Sequence, residues 1–167
     1  MNRKVLGLVA GGIALGALAV PAAAQVSKPI GLSIRAGVGF PTSSNAGGTV
    51  FAAGVEFNLY SLSPQAAGIG SAGHFTISGD YLGKNNGYVI PVLLNFVGTT
   101  ASNFYYTIGA GLADTHGGSH NSWNFGYRGG IGWNFAHSQT PLFIEADYFG
   151  NSNSNFNAIG VYLGVRL

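Results

Sequence analysis

Apolar and polar residues alternate with period two along most of the chain. From residue 30, IGLSIRAGVGF places Ile30, Leu32, Ile34, Ala36, Val38 and Phe40 on one side, leaving Arg35 and three glycines on the other. Seven later stretches repeat the pattern: FAAGVEFNL, HFTISGDY, YVIPVLLNF, NFYYTIGAGL, WNFGYRGGIGWNF, LFIEADY and IGVYLGVRL. Such alternation marks a β-strand with two unlike faces, and helical spacing is hard to find in this region. The intervening PTSSNAGG, SPQAAGIGSAG, GKNNG, GTTASN, DTHGGSHNS, AHSQTP and GNSNSN are rich in the Gly, Pro, Ser and Asn of turns. Eight strands joined by sequential hairpins predict an all-β barrel or sandwich without an internal domain boundary. Pro91 interrupts the fourth stretch, where its missing N–H predicts a bulge or a later strand start.

Charge placement decides which face meets which solvent. Arg35, Glu56, Asp80, Arg128, Glu145, Asp147 and Arg166 all fall on the face opposite the aromatic residues, and the aromatic faces carry no charge. Lys28, Lys84 and Asp114 are expected at strand ends or in turns. Only 7% of residues are charged, far below the roughly 25% of soluble domains. Glycine crowds the charged face, as suits a narrow interior. An uncharged aromatic face suits lipid, so the pattern predicts an eight-stranded antiparallel up-and-down transmembrane β-barrel, apolar outside and polar inside. Phe40, Phe51, Tyr81, Tyr88, Trp123 and Tyr148 fall near one set of strand ends. Phe57, Phe75, Phe96, Phe104, Trp133 and Phe135 fall near the other, as two interfacial girdles require.

The first residues follow a different rule. MNRK is basic, VLGLVAGGIALGALAV is apolar and PAAAQ offers a small-residue cleavage site. This is the form of a secretory signal peptide, residues 1–24, cleaved after Ala24 to leave a barrel domain of residues 25–167. Losing Arg3 and Lys4 leaves five basic side chains against five acidic ones. A balanced chain offers no basic patch for nucleic acid, and the absence of cysteine excludes disulfide and thiol chemistry.

The segments YVIPVLLNF, NFYYTIGAGLA, FGYRGGIGWNF and PLFIEADY resemble the OmpA/OmpX-like family of small outer-membrane β-barrel proteins. The resemblance implies a bacterial outer-membrane location among its lipids, with both termini in the periplasm. It also implies delivery by periplasmic chaperones and insertion by the outer-membrane assembly machinery. In that family the terminal strand is the assembly signal, here Ile159, Val161, Leu163, Val165 and Leu167, with Leu167 where Phe is usual. A closed barrel of this kind is expected to be a monomer.

Little in the sequence points to chemistry. The seven lumen charges are expected to form a structural ion-pair network, since charges in a filled barrel must be paired. A gated ion path is the sharper alternative. If Phe40 faces Phe51, counting puts Arg35 opposite Glu56, while Arg128 or Arg166 reaches Glu145 and Asp147. Asp114, His116 and His120 share a turn segment, but a glycine-rich turn without a scaffold makes no defined metal site, and no cofactor is expected. HNS at 120–122 resembles the His-x-Ser pair of outer-membrane lipid A deacylases. Those enzymes place Asn after the Ser and a Glu shortly downstream, whereas Trp123 follows here and the next carboxylate is Glu145. GAGLAD has no following helix and is no nucleotide loop. The expected function is therefore non-enzymatic, a structural or surface-interaction role with no catalytic residue. The alternatives are a narrow pore for small solutes and a lipid A-modifying enzyme using His120 and Ser122. Its outward loops are expected at residues 41–49, 83–87, 113–122 and 149–157.

Overall fold

A computed structural model describes residues 31–42, 48–62, 73–84, 87–100, 103–117, 120–135, 142–152 and 156–167. The expected leader and Lys28 lie outside the described residues, as do the side chains of Lys84 and His120. Eight strands run in chain order: β1 (Leu32–Pro41), β2 (Val50–Leu62), β3 (Gly73–Lys84), β4 (Gly87–Thr99), β5 (Phe104–Gly117), β6 (His120–Phe135), β7 (Leu142–Asn151) and β8 (Ala158–Arg166). Each is antiparallel to the next, and β8 pairs with β1 to close the barrel. Closure leaves no edge strand with unpaired backbone, the condition for a sheet to span lipid.

Alternation along the strands becomes inside and outside. Trp123 is 68% exposed, Ile131 65% and Ile108 62%, and the outward surface continues through Leu94, Leu112, Phe125, Ile144 and Leu163. A belt this apolar is stable against hydrocarbon and would be an aggregation surface in water. Outward aromatics meet in groups near both strand ends. Tyr81 stacks on Tyr88 at one end, while Phe75, Phe96 and Tyr106 run ring to ring at the other, where Phe104 packs edge-on against Trp133 at 4.2 Å.

The lumen is filled in layers. Toward the hairpins that join β1 to β2, β3 to β4, β5 to β6 and β7 to β8, an apolar cluster contains Leu82, Val89, Leu93, Phe149 and Tyr162. Beneath it lie buried Arg35, Asp80, Arg128, Glu145 and Asp147. Below the charges come Val97, Tyr105 and Phe143, then a pocket of about 160 Å³ at the chain-terminal end, lined in part by Glu56, His74 and Arg166.

Three details depart from the pattern-based expectation. Phe51 faces Val38, two residues from the expected Phe40, so Arg35 lies opposite Gly54 and Glu56 lies opposite Ser33. Pro91 sits inside β4 without a bulge. The β4–β5 ladder passes through Pro91 and Ala113 unbroken, while no pair joins β3 to β4 between Gly79–Val92 and Leu82–Val89. The missing N–H thus falls at this gap in the ladder, which tolerates the proline. Among the described residues the one register shift lies in β2 between Asn58 and Tyr60.

The third concerns the expected loop at 113–122, which is mostly strand. β5 and β6 continue to Gly117 and His120 and are the two longest strands of the barrel. Asp114 consequently stands on the outward face, paired in register with Ile90 and Trp123, so that face is not free of charge. From Phe104 to Leu112 the outward side of β5 is apolar, a rise of roughly 20 Å for tilted strands. Asp114 comes after that span, at the edge of an apolar band expected to be about 25 Å tall. The β5–β6 hairpin extends beyond it.

Candidate functional site

Two regions concentrate polar side chains: the charge layer in the lumen and the extended β5–β6 hairpin.

In the lumen, Arg35 on β1 and Asp80 on β3 face Gly54 of β2 from either side. With no side chain between them, they meet over the glycine. Arg35 Nε donates to Asp80 Oδ1 at 2.9 Å, and Nη2 donates to Oδ1 and Oδ2 at 2.7 and 2.8 Å. Arg35 Nη1 reaches across the barrel to Glu145 Oε1 at 2.7 Å and lies 3.6 Å from Glu56. Arg128 on β6 donates Nη1 to Glu56 Oε2 at 3.1 Å and Nη2 to the same Glu145 Oε1. Its Nε lies 2.9 Å from Asp147 Oδ1, but the N–H does not point at the oxygen and neither atom has a hydrogen bond. Each guanidinium also rests near a ring, Arg35 over Tyr162 and Arg128 over Phe149.

Six of the seven expected charges therefore form one connected layer spanning β1, β2, β3, β6 and β7. The principal partner of Arg35 is Asp80, two strands away, and not Glu56. Arg166 stands apart, below the layer. It donates to Asn134 Oδ1 at 2.7 Å and its guanidinium lies over Tyr105 and Phe143 at 4.7 and 5.0 Å. Among the described residues it makes no ion pair. Its parity is that of the network, but β8 brings it in too close to the open end. Arg166→Gln is accordingly expected to cost only about 1 kcal/mol, the loss of a hydrogen bond and ring contacts. Urea titration of the refolded barrel in vesicles checks it, and a cost near that of losing Arg128 would contradict the separation.

The closing strand carries the residues of the expected assembly signal. Ile159, Val161, Leu163 and Val165 pair with Phe40, Val38, Ala36 and Ile34 of β1. Leu167 N donates to Leu32 O at 2.7 Å and Gly31 N donates to Leu167 O at 3.2 Å, so the seam continues to the last residue.

At the β5–β6 hairpin the two faces differ. On the lumen side, Ser122 and Thr115 share a hydroxyl hydrogen bond at 2.9 Å. Asn124 Nδ2 donates to Thr115 Oγ1 at 2.7 Å and to Ser122 Oγ at 3.0 Å. His120 stands two residues before Ser122 on β6, in register with Gly117. On the outward side, His116 stacks on Tyr88 at 4.9 Å and its Nδ1 contacts Asn121 Oδ1. Asp114 and His116 thus lie on the opposite face of the hairpin from Ser122. The polar character of this hairpin, with a distinct set on each face, was not legible while it was assigned to a loop. The two-residue parity of Asp114 and His116 with Leu112 was the available clue.

No family model matches the chain, and no curated protein matches it. A solved structure does: that of the outer membrane enzyme PagL, with a TM-score of 0.50, covering 81% of this chain and 98% of that one at 20% identity. The chain has the fold of an outer-membrane barrel. At this identity the likeness concerns the fold, and it gives no support to the OmpA/OmpX-like family in particular. It also overturns the expectation that the chain is not an enzyme. That expectation rested on the incomplete His-x-Ser pattern, with Trp123 after Ser122 and no carboxylate before Glu145, and PagL is an enzyme with a barrel of this kind.

Proposed function

We propose that this outer-membrane barrel acts on lipid of the membrane in which it sits, as a hydrolase of lipid acyl esters, with the β5–β6 hairpin as its working part. One observation carries the reading: Ser122, with His120 two residues before it, sits on the longest hairpin, beyond the apolar belt. The packed lumen supports work at the barrel's end over a pore for small solutes. With both termini in the periplasm, this hairpin reaches the outer-leaflet side, where lipid A is the acylated lipid.

In this reading Ser122 Oγ attacks the ester carbonyl and His120 takes its proton. The alkoxide leaves with that proton, and water then releases the acyl chain as a fatty acid. Asn124, whose Nδ2 already points at Ser122 Oγ, is the donor for the developing oxyanion. Mass spectrometry of outer-membrane lipid from cells making the protein is expected to show acyl loss. Ser122→Ala should reduce it at least on the order of a thousandfold, the scale of removing a nucleophile. Lipid unchanged by the native protein, or acyl loss persisting in Ser122→Ala, would defeat the proposal.

A structural or surface-interaction role is the second reading. The bonds of Ser122 to Thr115 and Asn124 favour it, since they are those of a hairpin end held rigid.

A further inference from the structure

We propose that the lumen binds one proton, held between the carboxyl groups of Glu145 and Asp147. The charge layer places four carboxyls, Glu56, Asp80, Glu145 and Asp147, around two guanidiniums. Side-chain exposure is 3% or less throughout except at Glu56, where it is 12%. Water therefore does not screen the excess negative charge, and such a space must offset it from within.

The contacts single out where. Asp80 occupies the fork of Arg35, Glu56 takes Nη1 of Arg128, and Glu145 Oε1 bridges both arginines. Asp147 is left with Arg128 Nε, whose N–H is misdirected, and neither of its oxygens accepts a hydrogen bond. An ionised carboxylate in that position loses its hydration in exchange for one unaligned ion pair and no hydrogen bond.

Glu145 and Asp147 are two residues apart on β7 and point the same way. They approach neighbouring nitrogens, Nη2 and Nε, of a single guanidinium. That edge ordinarily accepts the two oxygens of one carboxylate. Two carboxyls sharing that edge lie side by side against it. Both ionised, they repel; with one proton they form a hydrogen bond, as paired carboxyls sharing a site do. The proton sits on Asp147, whose O–H donates to Glu145, while Glu145 remains ionised between the arginines.

The surrounding groups leave this as the available offset. Arg35 from β1, Glu56 from β2, Asp80 from β3 and Arg128 from β6 are committed to the contacts above. Tyr105 from β5 and Tyr162 from β8 carry buried hydroxyls and no charge, and β4 contributes only neutral side chains there. Among the described residues no group of three His, Cys, Asp or Glu is placed to hold a metal ion. The proton comes from water as the barrel closes, and no other bond changes.

Infrared spectroscopy of the mature chain refolded in lipid vesicles, at neutral pH with a chelator, tests this. A carbonyl band of one protonated carboxyl, shifting in D2O, is expected in the native protein and absent from Asp147→Asn. The variant should fold with an unchanged unfolding midpoint, because the asparagine amide supplies the same neutral donor to Glu145. A native protein lacking the band would overturn the proposal, as would the band surviving in Asp147→Asn. Failure of Asp147→Asn to fold would overturn it too, since that position would then require a charge.

Discussion

Arg128→Ala is expected to abolish recovery of the folded barrel. The side chain is fully buried and touches Glu56, Glu145 and Asp147. Removing it leaves these three carboxyls with Arg35 as the one remaining guanidinium of the layer, held mainly by Asp80. Deleting one partner of a buried ion pair costs about 3–5 kcal/mol, because the other partner stays buried without compensation. That is a large part of the roughly 5–15 kcal/mol that stabilises a typical domain. Heat-modifiable mobility on gels and urea unfolding in vesicles would read the loss. Arg128→Met combined with Glu145→Gln and Asp147→Asn is expected to restore folding, because uncompensated charge, and not lost volume, is the cause. Normal folding of Arg128→Ala alone would show that the layer contributes little.

Gly54→Val should come second in effect. A Cβ at Gly54 would collide with the Asp80 carboxylate and lie 3.0 Å from Arg35 Nε. Overpacking of this kind costs about 1–3 kcal/mol, and here it also forces apart the fork between Arg35 and Asp80. Gly130 has the same relation to Asp147. Gly129 provides the contrast, since a Cβ there meets nothing within 4 Å. Gly129→Ala is expected to be neutral in the same urea titration that shows Gly54→Val to be severely destabilised. Equal effects at the two positions would mean that the inward glycines are not seats for the ion pairs.

The inward glycines were legible as a feature of a crowded interior, but not as this device. Seeing that Gly54 separates Arg35 from Asp80 requires the pairing of three strands at once. Counting from Phe40 and Phe51 gave a register two residues off. A slip of one residue would have turned every side chain to the wrong face, whereas a slip of two leaves each face unchanged. Alternation is blind to that error. The same blindness put Arg166 in the network, since parity gives the direction of a side chain and not its height in the barrel.

The hairpin of β5 and β6 was misplaced for another reason. DTHGGSHNS is rich in turn residues, and composition alone favours a loop. Pairing from Phe104–Trp133 to Gly117–His120 carries the strands through it, because an established ladder adds hydrogen-bonded pairs without a new loop to close. Asp114 and His116 thereby became outward-facing, and Ser122 was brought beside Thr115.

The sequence by itself determined that there are eight strands, that each has an apolar face, and that the charges of six of them gather on the opposite face. These are local properties, fixed by period-two geometry and by the cost of placing charge in hydrocarbon. Only the tertiary structure decided which charges meet. Arg35 reaches Glu145 from β1 to β7, and Arg128 reaches Glu56 from β6 to β2, contacts made across the lumen. They depend on closure and on the stagger of every ladder around the ring, a sum over all eight registers that no single strand contains.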